Sequence, residues 1–504
     1  MRLRPDDLLR VAGVGGAGAI WGLGLARLVA EAGFWSPLYG SLPAVAGVAI
    51  VCATVVIVLW LWTGRLPHSH TSPLPHPHTP ILPHSPGFPP VSFIPLAFPL
   101  LYVAGVVSHP LAGCVLLAGG AVLALLAVWG DRARWMPPAV LGMVAFWLYL
   151  RTLLPSVGQA DTFEFQVVVP LLRVAHPTGY PLYVLLGKLF TLLPLGPALS
   201  GAEGSVAWRV NLASAVFATA AVLVLYALLL RLTVHRWAQD TAQWLPAFLA
   251  ALAFACSSTF WSQAVIAEVY TLHNLLVAAI LWLLLGARPH SHTPTPSLAR
   301  RWQAVFFLVG LSLTNHLTTA LLLPAVALAL LWDRPRLRPK DWLIAGGLLL
   351  LGLSVYLFIP LRWPALNRGE WMTLREFISY VTGGQFHAAL RLDGWRDPVR
   401  WGIVGRLLRE PFGWIGLGLA AVGVLGMASR LRRALALTGV IFLAFVLYGL
   451  DYYVPDVSVF LLPAHLILAV WIGAGIAFLA GLTARLSQFS FLNSHFSFYP
   501  PYCR

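Results

Sequence analysis

The sequence predicts an all-α, polytopic transmembrane protein. The 504 residues are 59% hydrophobic and only 10% charged, and the mean hydropathy is +0.79. Soluble domains carry roughly a quarter charged residues, so a water-soluble core is excluded. Apolar runs of about 18 or more residues recur along the chain, each long enough to cross roughly 30 Å of hydrocarbon as a helix. A barrel would need short alternating segments instead.

In order, the runs place spans at 9–30, 42–63, 91–107, 110–129, 137–154, 207–231, 245–262, 267–286, 303–314, 317–332, 342–360, 412–428, 434–450 and 458–481, or about 13–14 crossings. The first also reads as a signal peptide, since Arg2, Arg4 and Arg10 precede an apolar run and Ala30-Glu31-Ala32 follows; its length favours an uncleaved anchor. Asn315-His316 interrupts the 303–332 stretch. Residues 67–90 and 289–298 are rich in Pro, His, Ser and Thr. They predict disordered linkers, a better reading of their histidines than metal binding.

A net charge of +15 invites a nucleic-acid reading. The basic residues, among them Arg65, Arg132, Arg231, Arg301, Arg334, Arg338 and Arg433, instead fall on every second connection, as the positive-inside rule requires. No basic-aromatic platform for nucleic acid is present. With the N-terminus inside, the connections near 155–206, 263–266, 361–411 and 451–457 face outward. Of 18 acidic residues, only Asp6, Asp7, Asp131, Asp240, Asp333 and Asp341 then lie inside. That asymmetry points to chemistry at the outer face. Cys52, Cys114, Cys256 and Cys503 form no CxxC pair, so neither a disulfide framework nor a zinc site is indicated.

Candidate site residues cluster in the outward segments. Asp161 and Glu164, spaced i,i+3, share a face if the segment through Val169 is a helix at the membrane surface. A carboxylate there can act as a general base toward a hydroxyl or merely complement a helix dipole. His176-Pro177-Thr178-Gly179-Tyr180-Pro181 predicts a turn back into the membrane, with His176 also able to bond a phosphate or polar substrate. Glu268, at the lip of a span, is expensive unless it faces a cavity. Asn315 and His316 read as a site pair or a structural one. The Arg362 guanidinium suits phosphate oxygens or interfacial snorkelling.

Taken in order, eight strings carry a resemblance. They are Thr152–Val157, Asp161-Thr162-Phe163-Glu164-Phe165, His176–Tyr183, Trp208-Arg209-Val210-Asn211, Trp261–Tyr270, Leu313–Thr318, Tyr356–Arg362 and Val381–Phe386. The series resembles the domain-of-unknown-function family 2723, which is similar to protein O-mannosyltransferases among the GT-C glycosyltransferases. The match runs from about 137 to 480. It implies a GT-C-type fold with its active site at the outer face. It also implies transfer of a sugar, with mannose a candidate, from a polyprenyl-phosphate sugar donor to a protein or glycan acceptor.

By position Asp161 would be the general base and Glu164 the second acid. His176, Tyr180, Glu268, Asn315 and His316 would line the substrate or donor site, with Arg362 on the donor phosphate. No cofactor is implied beyond the donor, and no spacing supports a divalent metal. Residues 1–136 would form an N-terminal membrane region, 137–486 the catalytic domain and 487–504 a tail. Membrane lipid is the remaining partner, and the plasma (inner) membrane the expected location if the source is bacterial. The rival reading is a transporter or lipid flippase, which predicts inverted repeats and midplane charges that the sequence does not show.

Overall fold

The computed structural model describes residues 135–193, 202–233, 243–286 and 296–496, with a few isolated positions before them. The chain divides into two units, Met1–Met136 with Ser487–Arg504, and Pro137–Leu486. In the first, residues 19–24 are helical. The rest of the spans expected before 137, apart from single positions, lies outside the described residues. So do the 67–90 linker and Cys52, Cys114 and Cys503.

The second unit opens with α1 (Met136–Thr152), followed by α2 (Ala160–Leu171), α3 (Pro181–Thr191) and the long α4 (Ala202–Thr233). Next, α5 (Leu245–Ala255) and α6 (Ser258–Ala264) form one broken element bent by 67°. Then come α7 (Tyr270–Leu285) and α8 (Pro296–Leu313). A 3-10 turn at Leu317–Leu322 runs into α9 (Leu323–Asp333). The following helices are α10 (Pro339–Leu353), α11 (Phe358–Leu366), α12 (Leu374–Val381) and α13 (Pro398–Arg409). The chain ends on α14 (Gly413–Arg430), α15 (Arg432–Asp451), α16 (Val457–Phe460) and α17 (Leu462–Phe496). Among the described residues no named strand occurs; Leu390 and Tyr452 form an isolated antiparallel bridge.

Every span expected from 137 onward is helical, and the protein is a multi-pass helical membrane protein. Among the described residues five helices are long and apolar enough to cross a membrane, or six if the bent α5–α6 pair is one span. The linker expected at 289–298 is corrected at its end: α8 already begins at Pro296. Proline is well tolerated in the first turn, where its missing N–H would have no partner anyway. The long connections 155–206 and 361–411 also prove helical in large part, holding α2 and α3 in one and α12 and α13 in the other.

Lipid tails are as apolar as leucine, so helix association in a membrane relies on close packing and polar pins. Both are present. α8 and α10 touch backbone to backbone: a Cβ on Gly310 would sit 2.3 Å from the Leu349 carbonyl, and one on Gly352 2.6 Å from the Leu311 nitrogen. A polar pin ties the C-terminal ends of α7 and α9 to the start of α15. Arg433 donates through Nε and Nη2 to both oxygens of the buried Asp333, each at 2.6 Å, and through Nη2 to the Leu284 carbonyl at 2.9 Å. Arg301 from α8 adds a third bond to Asp333 at 3.3 Å. Arg231 on α4 reaches the Trp282 and Gly286 carbonyls beside it.

Asp333→Ala would leave two arginines facing each other without a counter-charge. The expected loss is about 3–5 kcal/mol of stability. It should appear as a lowered thermal midpoint of the purified protein in detergent; an unchanged midpoint would contradict the assigned role.

Candidate active site

The site lies at the opposite end of α7 from the Asp333 pin. The 16 residues of α7 separate the two by about 24 Å. Its foundation is α2. The segment before that helix is fastened by side chains: Gln166 accepts from the Gly158 amide at 2.8 Å and donates to Asn211 of α4 at 2.8 Å. Asn211 in turn donates to the Leu154 carbonyl at 2.8 Å. Leu154 N–H bonds the Val265 carbonyl at 2.9 Å, so the entry to α2 is tied to the break after α6.

Asp161 falls in the first turn of α2, where a negative charge complements the helix dipole, and Glu164 sits one turn on. α2 ends at Leu172 in the left-handed conformation, φ 50°. Arg362 of α11 closes this end, donating through Nε to the Leu172 carbonyl at 2.8 Å and through Nη2 toward the Leu171 carbonyl at 3.5 Å. The chain then turns through His176 to Tyr180, and α3 starts at Pro181. Gly179 takes φ 86°, a left-handed conformation that favours glycine, and a Cβ there would also crowd the Ile359 side chain at 2.6 Å.

That turn brings His176 back over α2. Glu164 accepts from the His176 amide at 2.7 Å and pairs with its Nδ1 at 2.5 Å. The opposite ring nitrogen, Nε2, lies 4.0 Å from Asp161. Burial works against ionisation of both partners. Their mutual hydrogen bonding and charge outweigh it, with Asp161 adding to the effect on the imidazole; Glu164 is held below its ordinary value and His176 above. Each partner thus favours the charged form of the other. Asp161, with its side chain 53% exposed, is the open member of the trio. Oxygen and nitrogen atoms of Asp161, Glu164 and His176 lie within 4.8 Å of one another, so among the described residues these three could hold a cation. The Nδ1–Glu164 bond would have to open for His176 to ligate through that atom.

Glu268 enters from the α6–α7 break and is buried. Ser214 of α4 bonds both its amide and its carbonyl at 3.2 Å, and Thr162 donates to its carboxyl at 3.3 Å. Burial, then the charge of Asp161, pushes Glu268 up to about 8. At neutral pH it is largely protonated and can donate a hydrogen bond. The Tyr180 ring lies 5.1 Å from His176 and 5.9 Å from His316. Burial and the charge of Asp161 push its phenol up, so it too is a donor.

Asn315 is fully buried and donates to the Val269 carbonyl at 3.2 Å. His316 bonds Thr318 at 2.6 Å, and Thr318 reaches His273 of α7 at 3.2 Å. The structure thus brings Asp161, Glu164, His176, Tyr180, Glu268 and His316 together. It sets Asn315 behind them as a brace and Arg362 at the far end of α2.

Several contributors were not singled out by role in the sequence. Tyr380 of α12 donates to the Ala175 carbonyl, and the Phe386 ring lies 6.4 Å from His176, so the second long connection covers the first. Leu390 and Arg391 are bonded to the strand-like stretch 451–453, which leads directly to Asp456. Asp456 acts electrostatically on Glu268 and feels Asp161. The only signal for it was its position in an outward connection.

The site is thus a group of acids and a histidine at one end of α7, and the chain is similar to known proteins over the same region. The profile of the "Protein O-mannosyl-transferase TMEM260 N-terminal domain" matches residues 161–338, which begin at the candidate base. The chain is 29% identical over 300 residues to "Protein O-mannosyl-transferase tmem260" of Dictyostelium discoideum, covering 56% of this chain and 35% of that protein. It is 33% identical over 275 residues to the Mus musculus protein of the same name, covering 52% and 36%. The chain thus spans about a third of the length of these curated relatives. Among solved structures it is similar to ArnT from Cupriavidus metallidurans bound to undecaprenyl phosphate. There the TM-score is 0.48 at 13% identity, covering 67% of this chain and 59% of that one.

The Glu164–His176 pair sets a pH window. A raised histidine stabilises the fold fully below its ordinary 6.5, and this is lost as pH rises through the folded value. A lowered glutamate stabilises it fully above its ordinary 4.5, and this is lost as pH falls through the folded value. Both contributions are complete between about 4.5 and 6.5. Glu164→Gln should lower the His176 titration midpoint measured by NMR of labelled histidine; an unmoved midpoint would refute the pairing.

Proposed function

We propose that the chain is a membrane glycosyltransferase of the GT-C type. It moves a sugar, with mannose the leading candidate, from a polyprenyl-phosphate donor to a protein or glycan acceptor on the extracytoplasmic face. The observation that carries this reading is the trio at α2: an open carboxylate, Asp161, beside the His176 ring held by Glu164. The similarity to proteins named O-mannosyl-transferases over the same residues supports it. The donor class follows from the family resemblance. The outward orientation follows from the positive-inside rule, with Asp161 and Asp333 at opposite ends of the bundle.

In this reading Asp161 accepts the proton of the acceptor hydroxyl as its oxygen attacks the anomeric carbon. The bond from that carbon to the phosphate oxygen breaks, and the phosphate leaves with the electron pair. Attack from the side opposite the leaving group inverts the anomeric configuration. The imidazolium of His176 is the nearest cation to Asp161 in the trio, and it stabilises the charge growing on the phosphate. Arg362, the other candidate for that role, spends two N–H groups on the end of α2. We assign it to holding the helix that carries Asp161. Protonated Glu268 and Tyr180 supply hydrogen bonds to the sugar or acceptor. A cation at Asp161 and Glu164 remains compatible with the same carboxylates, but no step requires it.

Asp161→Asn removes the base while keeping the shape. Incubated with a polyprenyl-phosphate sugar, the variant should lose transfer and sugar release by about 100-fold or more, with an unchanged thermal midpoint. Full activity in this variant would sink the mechanism.

A further inference from the structure

α12 is turned the wrong way round for a helix in water. Its polar side faces the protein: Arg375 and Ser379, with Tyr380, Pro177 and Trp363, line a cleft of about 440 Å³ beside the His176 turn. The side away from the cleft carries Leu374 and Ile378, one turn apart and 74% and 51% exposed. Trp371, just ahead of the helix, is 70% exposed. A helix on a water-covered surface packs its apolar stripe inward and turns its charges out. Scattered exposed apolar residues are ordinary, but large ones gathered on one short element mark a contact surface.

The depth of α12 follows from the span it packs on. α10 and α11 together form one apolar span, Pro339–Leu366, of 28 residues. At 1.5 Å per residue that is roughly 42 Å, about the thickness of a bilayer with its headgroup regions. Leu343, Leu350, Leu357 and Leu361 make one exposed stripe along it, which is its lipid-facing surface. The last turn of α11 therefore reaches the headgroup region, and α12 sits on that turn. The Tyr380 ring lies 5.5 Å from Trp363, and the Tyr380 hydroxyl donates to the Ala175 carbonyl. Arg375 pairs with no acid among the described residues, and a basic residue on the polar side suits lipid phosphates.

We propose that α12 is an interfacial helix, docked on the lipid surface at the site's end of the bundle through Leu374, Ile378 and Trp371. The two aliphatic side chains enter the boundary between headgroups and acyl chains, and the indole of Trp371 lies at headgroup level. The bilayer thus continues from the leucine stripe of α10 and α11 onto α12. Docked in this way, the helix that covers the His176 turn through Tyr380 is held from both sides, by protein and by lipid. The cleft lined by Arg375 and Ser379 then opens at headgroup depth, where a headgroup carried by a lipid can enter along the membrane surface. Nothing in this docking depends on the transfer chemistry.

The test uses the full chain in phosphatidylcholine nanodiscs, with its four native cysteines replaced by serine. One NBD fluorophore is attached at a time, to Leu374→Cys, to Ile378→Cys or, on the cleft side, to Arg375→Cys. Phosphatidylcholine spin-labelled near the top of its acyl chain should quench the probes at Leu374 and Ile378, and iodide in the buffer should not. At Arg375 iodide should quench more than the lipid does. Loss of emission to iodide alone at Leu374 and Ile378 puts that face in water and overturns the docking. Protection from both quenchers means that protein, such as a second copy of the chain, covers the face, and overturns it too. Equal lipid quenching at all three positions refutes the sidedness. The unaltered chain gives a second reading: a photoactivatable phosphatidylcholine should form adducts within 371–378. Adducts on α10 and α11 with none on that segment would also overturn the docking.

Discussion

The ion pair between Glu164 and His176 is the contact on which the candidate site depends. It joins two elements that the chain sends in different directions, α2 along one line and the turn before α3 back across it. One carboxylate takes both the backbone N–H and the ring N–H of the same histidine, which fixes the ring plane as well as its charge. Its opposite nitrogen is thereby aimed at Asp161. A free histidine would sample several rotamers and be mostly neutral at pH 7. Here Glu164 fixes the direction of the ring and, with Asp161, favours its charged form.

Holding such a pair at the edge of a membrane demands rigid ends for short helices. The protein solves this with arginines placed on helix C-termini, where the carbonyls lack intrahelical partners. Arg362 closes α2 and Arg400 closes α15. Each thereby orients the segment that follows: the His176 turn in one case and the approach to Asp456 in the other. At the remote end Arg433 and Arg301 use Asp333 instead, joining α7, α8, α9 and α15.

Burial divides the acids of the site by function. Glu268 and Asp161 both come from elements next to α4, yet one is nearly enclosed and the other half open. Enclosure pushes Glu268 up to about 8 and makes it a hydrogen-bond donor at neutral pH. Two carboxyl groups within one site can thus serve as acceptor and as donor, because a low-dielectric wall disfavours the second negative charge. The buried threonine and serine contacts at Thr162 and Ser214 position Glu268 without neutralising it.

Much of this was legible without coordinates. The helical membrane class followed from run length and charge scarcity. The helix under Asp161 and Glu164 followed from their i,i+3 spacing, and the break at Asn315-His316 followed from polar residues inside an apolar stretch. Local patterns of this kind reflect a period or a desolvation cost, and both are properties of neighbouring residues. Other features depended on residues far apart in sequence. Arg362 meets α2 across 190 positions, Thr162 meets Glu268 across 106, and the 361–411 connection folds over the 155–206 one through Tyr380. No periodicity encodes such contacts. The sequence by itself therefore determined that the protein is a helical membrane protein with its acids gathered in a few outward connections. Only the tertiary structure decided that Glu164 holds His176 and that Arg362 caps a helix. Charge state and hydrogen-bond partner depend on what burial brings within about 3 Å.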